Sequence, residues 1–511
     1  MGYKEFDLTV PPGFTGEDLK KILQKRSGLE DFTYSIQKKS LDARKKKEII
    51  WKMRVAVCSD AYTDELPGVP TLEIPKGKHD EKILVTGSGP AGFFAAFVLQ
   101  KAGFQVTLIE RGSDVESRSR GIKAFEAGGE FNPKANYAFG EGGAGTFSDG
   151  KLTSRSKHIK PERNFIIESY IAAGAPEEIR YLAHPHLGTD NLKKIVKRLR
   201  RQFTELGGTM LFETQLLDIE VKDGKIASVE TTNGTLDVDY LYIATGHSSY
   251  DTYRMLMRKG VPFQHKNFAL GYRVEHAQKW INQAQWGRET LPGVKAAEYR
   301  LTTQNDPNHP VYTFCMCPGG TIVPAAAYPG QNIVNGMSMY DRGGEFANAA
   351  CVAGVQIEKL LGKEVSPLEA LDWLESLEQK FFAVSSDYKA PAVSIRSFLN
   401  KKLHGVTPKS SYALGLEEFP IWTLLPPSVV TALQTGLQNF SRKVKGYEYG
   451  TLMGLENKSS APIQVLREKN GQVEGFENLF VIGEGSGYAG GIISSAADGV
   501  RSAISLVSKL S

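Results

Sequence analysis

Gly87, Gly89 and Gly92, in KILVTGSGPAGFFAAFVLQKAGFQVTLIER, have the spacing G-x-G-x-x-G, which in the right setting binds a pyrophosphate. The setting is present. Ile83 to Thr86 is a short apolar run with β-branched residues and reads as a buried parallel strand. Phe93 to Lys101 has helical composition, Gly103 closes that helix, and Val106 to Ile109 is a second strand. Gly87 permits the tight turn out of the strand, Gly89 lets backbone N–H groups approach the phosphates, and Gly92 lets the helix pack on the sheet. Pro90 and Ala91 open the helix, whose N-terminus carries partial positive charge. Glu110 lies 18 residues beyond Gly92, followed by Arg111. A carboxylate there accepts hydrogen bonds from ribose hydroxyls and repels a 2′-phosphate, which argues against NADP at this site. The motif fits NAD or FAD.

Other stretches carry chemistry of a similar kind. GEGGAGTFSDGKL, Gly140 to Leu152, has five glycines in thirteen residues, too little side chain for a core strand or helix. Lys151 is its one cation. YLYIATGHSS is a strand ending in Ala244, Thr245 and Gly246, with His247 next. NLFVIGEGSGYAGGIISSAADGVRSA is a strand, then Gly483 and Glu484, a glycine-rich turn and a small-residue helix. His184, His186, His247 and His276 are candidate acids and bases. Arg273 and Glu275 share one face of a strand and His276 points opposite. Arg273 is a candidate for binding a carboxylate substrate, with an ion pair to Glu275 as the plainer role. Cys315 and Cys317 form C-x-C, where a bridge across one residue is strained and both side chains face one side of a strand. They are candidate redox residues or simply buried small hydrophobes. No spacing suggests a metal site.

A dinucleotide gripped from both ends of the chain, with an acid ending the late strand, resembles the FAD-binding superfamily typified by glutathione reductase and p-hydroxybenzoate hydroxylase. The resemblance implies that Glu484 contacts the ribityl chain and that Gly490, Gly491 and Ile492 point a helix N-terminus at the flavin. It also implies that Leu216 offers backbone contact near the adenine. The glycine-rich loop would then run against the cofactor through Gly143, Ala144, Gly145 and Thr146, with Lys151 near a phosphate or the flavin. NYAFGEGGAGTFSDGKL, HPHLGTDNL, IATGHSSYDTY, FALGYRVEH, FCMCPGG, VNGMS and GEGSGYAGGI together resemble a bacterial and plastid family of FAD-dependent dehydrogenases, from about residue 75 onward. That family is known by its cofactor, so the resemblance supplies no substrate. One phrase departs from it. Where relatives carry Arg-Thr-Ser-Ser-Pro, this chain reads Asn457-Lys458-Ser459-Ser460-Ala461-Pro462, keeping a charge but losing a bidentate fork.

These sites need elements to hold them. The expected fold is α/β: a Rossmann-type FAD-binding domain over 80–250 and 456–511, interrupted by a mixed-sheet substrate domain over 251–455. A small α+β domain over 1–79 precedes it, joined by the linker PKGKHD. In that domain Leu8 to Val10, Phe32 to Lys38 and Ile49 to Cys58 are expected strands. Thr15 to Lys25 is an expected helix with Thr15 as its cap. The basic run Lys38 to Glu48 reads as a solvated hairpin loop. NLKKIVKRLRRQFTEL is a packing helix with Leu192, Ile195, Leu199, Phe203 and Leu206 toward the core.

With 511 residues, 41% hydrophobic and 23% charged, the chain is globular and large enough for several domains. A net charge of +5 does not demand a nucleic-acid partner. Four cysteines without a disulfide framework point to a reducing cytoplasm, and no apolar run is long enough for a membrane span. A dedicated NAD(P)H domain is not expected, so either NADH or NADPH docks transiently against the flavin or the electron donor is something else. The expected function is an FAD-dependent oxidoreductase acting on a small molecule. The alternatives are a flavin monooxygenase, or a flavoprotein that binds RNA or a protein partner through its basic N-terminal domain.

Overall fold

The computed structural model describes residues 2–65, 67–154, 156–303, 306–405 and 409–511. At its centre is a parallel sheet of five strands in the order Leu479–Val481, Tyr240–Ile243, Lys82–Thr86, Gln105–Ile109, Thr209–Leu211. The helix Pro90–Ala102 is buried along ten of its thirteen residues, so it reads as apolar all round rather than as amphipathic. It packs against the late helix Ile492–Leu510, where a Cβ on Gly499 would lie 2.1 Å from the Ala91 carbonyl oxygen. Bare backbone is therefore what lets the two helices meet. The helix Gly188–Glu205 buries Leu192, Ile195, Leu199 and Phe203, four positions on one face. Leu206, expected beside them, is 44% exposed, because the helix ends there and the chain turns away.

From the last sheet edge the chain forms an antiparallel meander, Leu216–Lys222, Lys225–Thr231 and Gly234–Asp237, and re-enters the sheet at Tyr240. Residues beyond 260 build a second, seven-stranded sheet. Its central strands are Val311–Cys317, Phe346–Val355, Phe268–Ala277 and Thr451–Glu456, all antiparallel neighbours in that order. Phe268–Ala277 is buried along nearly its whole length. Both faces of the sheet are covered, so polar side chains on this strand sit in the interior rather than alternating toward solvent.

The N-terminal residues form a three-stranded antiparallel sheet of Gly2–Val10, Ile50–Ser59 and Thr33–Asp42, in that order. The helix Gly16–Ser27 covers it, capped by a Thr15–Asp18 capping box. The basic run is not wholly a loop. Its first residues continue the strand to Asp42, and Lys39 pairs with the body of the protein: its N–H donates to Tyr181 O (2.8 Å) and its carbonyl accepts from Ala183 N (2.9 Å). The Lys39 ammonium lies 4.6 Å from the Trp51 ring centroid, so aromatic surface shares its charge with water. The linker is held as well: Gly77 N–H donates to Ala102 O (2.9 Å), and His79 stacks on Phe104 at 3.8 Å. Among the described residues no helix is long and apolar enough to cross a membrane.

Candidate functional site

Three glycine segments converge at the end of the parallel sheet. Gly87, at φ +95°, turns the chain out of the first strand; a Cβ there would sit 2.5 Å from Ala244 O. A Cβ on Gly92 would sit 2.0 Å from Gly87 O. Gly143, at φ +65°, lies against Gly89, and Gly145 against the Ile492 side chain. The first turn, the glycine-rich loop and the late helix start thus meet as backbone against backbone.

Two buried charges hold this arrangement. Glu110, 4% exposed, accepts four hydrogen bonds: Ser88 N–H (2.9 Å) and Ser88 Oγ (2.8 Å) on Oε2, Gly112 N–H (2.9 Å) and Gly140 N–H (3.0 Å) on Oε1. These fill the acceptor directions of a carboxylate. Of the four donors, only the Ser88 hydroxyl can yield to a ribose hydroxyl without breaking a backbone bond. Arg118, fully buried, donates to the carbonyls of Asn136 (2.8 Å), Tyr137 (3.0 Å), Gly140 (3.3 Å), Glu141 (3.0 Å) and Gly143 (2.8 Å). Burial pushes its pKa down to about 10, against the opposing pull of Glu110 and other neighbours, so it remains a cation. The sequence reading passed over Arg118. It falls at the third position after Val115 on the face that also buries Ile122 and Phe125, and an arginine on an apolar helix face was the available signal.

A cavity of about 1290 Å³ runs from this cradle to the mixed sheet, beyond the roughly 300–1,000 Å³ of a site for one drug-sized ligand. Its lining includes Gly87, Gly89, Pro90, Ala91, Glu110, Arg111, Gly143, Ala144, Gly145, Leu216, Thr245, Gly246, His247, Glu484, Gly490, Gly491 and Ile492. Gly92, Thr146 and Gly483 support it from behind rather than lining it. Arg111 pairs with Asp251 and lies 4.4 Å from the Phe139 ring centroid. His247 Nδ1 is 3.3 Å from Glu484 Oε1, while its Nε2 is buried with no hydrogen-bond partner among the described residues.

Lys151, Arg273, Cys315 and Cys317 also come together, at the far wall. Lys151 Nζ bonds Asp149 Oδ2 (2.7 Å) and the Met316 carbonyl. Asp149 is 1% exposed and also bonds Ser338 and Arg342; burial opposes its charge, but Lys151 and Arg342 outweigh burial and hold it below the usual carboxylate range. Arg273 is fully buried. Nε bonds Asn348 Oδ1 (2.9 Å), Nη1 bonds Glu456 Oε2 (2.9 Å) and Asn335 Oδ1 (3.2 Å), and Nη2 bonds Cys315 O (2.8 Å) and Cys317 Sγ (3.4 Å). Its donors are thus occupied by the protein. Its ion pair is with Glu456; Glu275 instead accepts from the Ser411 backbone N–H (3.2 Å). Lys458 is likewise committed, to Glu378 Oε1 (2.8 Å) and Tyr250 Oη (2.9 Å).

Two of the candidate histidines are structural. His186 Nε2 meets Tyr340 O at 3.0 Å and His276 Nε2 meets Tyr447 O at 2.9 Å; a ring N–H donates in each. Burial pushes both down to about 4, so both are neutral near pH 7. Between about 4 and the ordinary 6.5 the unfolded chain binds the proton and the folded one does not, so stability falls as pH falls through that window. His276→Gln keeps a donor without the titration. It should therefore lose about 3 kcal/mol less than the parent between pH 7 and pH 4, measured as the difference in urea midpoints. The difference is the test, because Glu141, Glu275 and Glu456 are shifted upward and act with the opposite sign. Equal losses would show that His276 is charged in the folded state.

The parallel sheet, the glycine cradle and the cavity define a Rossmann-type nucleotide-binding protein whose residues fit FAD. Bare backbone lets the glycine segments meet where Cβ atoms would strike neighbouring chain, and an unpartnered imidazole nitrogen is buried beside the cavity. The chain belongs to a family of FAD-dependent oxidoreductases. Residues 81–285 match the family described as pyridine nucleotide-disulphide oxidoreductase, and 267–459 match the FAD-dependent protein, C-terminal domain-like family. Residues 3–58 match a domain of unknown function. A Clostridium beijerinckii protein described as uncharacterized is 39% identical over 515 residues, covering 96% of this chain and 95% of its own length. L-aspartate oxidase from Saccharolobus solfataricus is 25% identical over 178 residues, 33% of this chain and 37% of that one. Among solved structures, L-proline dehydrogenase from P. horikoshii aligns over 85% of this chain and 94% of its own at 11% identity, with a TM-score of 0.36.

Proposed function

We propose that the chain transfers hydride between FAD and a small organic substrate held where the mixed sheet closes the cavity. The observation that supports this reading is that one cavity joins the glycine cradle to the mixed sheet, with the His247–Glu484 pair on its wall. When bound, FAD supplies the hydride chemistry. The turn through Gly87, Gly89 and Gly92 and the helix start at Pro90 and Ala91 hold the pyrophosphate. Glu110 meets the ribose in exchange for the Ser88 hydroxyl, and Arg111 flanks it. Leu216 borders the adenine. Gly143 to Gly145 and Thr245 to Gly246 would cover the dinucleotide, with Thr146 bracing the loop behind them. Gly483, Gly490, Gly491 and Ile492 shape the turn and helix start that face the flavin. Glu484 orients the His247 ring through Nδ1, leaving Nε2 to give or take the proton that accompanies hydride transfer. NADH or NADPH acts as a transient donor that docks without a domain of its own.

The test is a visible spectrum followed by anaerobic titration with NADH and then NADPH. Flavin bands bleached by one nucleotide are expected. Bands that persist with both would remove the nicotinamide donor, and no bands after incubation with FAD would overturn the reading. Gly491 has φ +86°, which a β-branched residue adopts only under strain. Valine there must carry about 1–3 kcal/mol of strain or reshape the helix start that would face the flavin, so Gly491→Val is expected to weaken FAD retention on the order of tenfold.

A further inference from the structure

The strand Val311–Cys317 pairs regularly with Phe346–Val355 up to Phe314, opposite Ala350, and resumes with Cys317 opposite Asn348. One extra residue is accommodated between them, and Cys315 takes φ +44°. A non-glycine residue in that region costs about 1–3 kcal/mol and persists only where its surroundings impose it. Here the imposed geometry has a consequence. Cys315 is part-exposed and lines the cavity, while Cys317 is fully buried behind it. Cys317 Sγ lies 3.5 Å from Cys315 O, so the bulge turns the Cys317 sulfur back toward the Cys315 residue.

Cations surround the pair. Arg273 bonds Cys315 O and Cys317 Sγ, and Lys151 bonds the carbonyl of the intervening Met316. The hydrogen bond from Cys317 and the fields of Lys151 and Arg273 outweigh burial and the Asp149 carboxylate, holding the Cys315 thiol at about 6. Cys317 is pushed upward, first by its bond to Cys315 and then by burial. Cys315 is thus the cavity-lining cysteine whose thiolate is favoured and Cys317 the thiol buried behind it, the division of labour of an attacking and a resolving cysteine. Cys351, fully buried and pushed up to about 12 by burial, has no such setting.

We propose that Cys315 and Cys317 form a dithiol that exchanges with small-molecule disulfides in the cavity, Cys315 attacking and Cys317 resolving. The Cys315 thiolate attacks one sulfur of R–S–S–R; that S–S bond breaks and RS⁻ leaves, taking the Cys317 proton. The Cys317 sulfur then attacks Cys315 Sγ, forming the Cys315–Cys317 bond and expelling the second RS⁻, which is protonated by water. The substrate disulfide gains two electrons and becomes two thiols, and the cysteine pair loses two and becomes a disulfide. The reaction occurs once per chain without nicotinamide or turnover of the flavin. It therefore stands or fails separately from hydride transfer.

The test uses FAD-loaded, reduced protein carrying Cys58→Ser, mixed with excess 5,5′-dithiobis(2-nitrobenzoate). The expected result is release of two thionitrobenzoates per chain and an intact mass lighter by two hydrogens, with no adduct. Cys317→Ser should release one and keep the other as an adduct on Cys315. Cys315→Ser should slow release on the order of a hundredfold. A stable adduct on the protein retaining both cysteines, or unchanged release from Cys315→Ser, would overturn the proposal. Should the serine variants fail to fold, iodoacetamide labelling of the unsubstituted protein decides. The charged and titratable groups facing Cys315 are Cys317, Lys151, Arg273 and Asp149. With them in place, the labelling of Cys315 should reach half its maximal rate near pH 6. A midpoint near the ordinary thiol value, about 8.5, would overturn the proposal.

Discussion

Arg118→Met is expected to yield protein that no longer retains FAD and unfolds at a markedly lower urea concentration. The side chain donates to five carbonyls within the stretch from Asn136 to Gly143. The stretch buries Tyr137 and Phe139, but its glycines have no side chains to pack, so the guanidinium is what fixes their carbonyls. Methionine fills the volume and satisfies none of the acceptors. Breaking a buried charged network of this kind costs about 3–5 kcal/mol. The loop also carries Gly143, which packs on Gly89, so the loss reaches the dinucleotide turn directly. Arg118→Lys should recover less than half of the midpoint shift, because one ammonium cannot reach carbonyls spread across a planar fork. Flavin absorbance per chain and the urea midpoint are the two readouts. Full flavin content with an unchanged midpoint in Arg118→Met would mean that the loop is shaped by something else.

Why Arg118 escaped the sequence reading, while Gly87, Gly89 and Gly92 did not, is a matter of what a sequence records. The dinucleotide turn is local: strand, glycines, helix and acid follow one another within thirty residues, and each residue type answers a constraint imposed by its neighbours. The same holds for the Thr15–Asp18 box and for the buried face of Gly188–Glu205. Arg118, by contrast, binds backbone carbonyls, and a carbonyl has no signature in any residue's identity. Arg273 lies on a strand buried on both faces, where alternation says nothing about partners. Its carboxylate comes from Glu456, 183 residues away, and not from Glu275 beside it. The C-x-C motif was legible, but the extra residue that sets a cavity-lining cysteine apart from a fully buried one depends on the partner strand. Lys39 shows the same limit on the surface. A basic run reads as solvated until the turn at Tyr181 to Ala183 and two aromatic rings, known only from the fold, engage Lys39.

Arg273→Met should destabilise the protein by about 3–5 kcal/mol at pH 7, with the deficit shrinking as pH is lowered toward 5. The pH dependence distinguishes the cause. Glu456 is 2% exposed, and burial already raises its pKa against the pull of Arg273. Without the guanidinium, the folded state holds the Glu456 proton to higher pH than the unfolded chain does. Stability is then lost as pH rises above the ordinary carboxylate value of 4.5, so the variant is penalised most at neutral and alkaline pH. A simple packing defect would cost the same at pH 5 and pH 7. Arg273→Lys restores a counter-charge to Glu456 and should flatten that dependence. It still leaves some of Asn335, Asn348 and the Cys315 carbonyl unpaired, so part of the loss persists. The sulfurs supply a second readout. Removing one of two cations beside Cys315 should move its labelling midpoint upward in Arg273→Met and less in Arg273→Lys. If stability falls but that midpoint stays still, the arginine braces the sheet without tuning the thiol, and Lys151 with Cys317 must account for the thiolate alone.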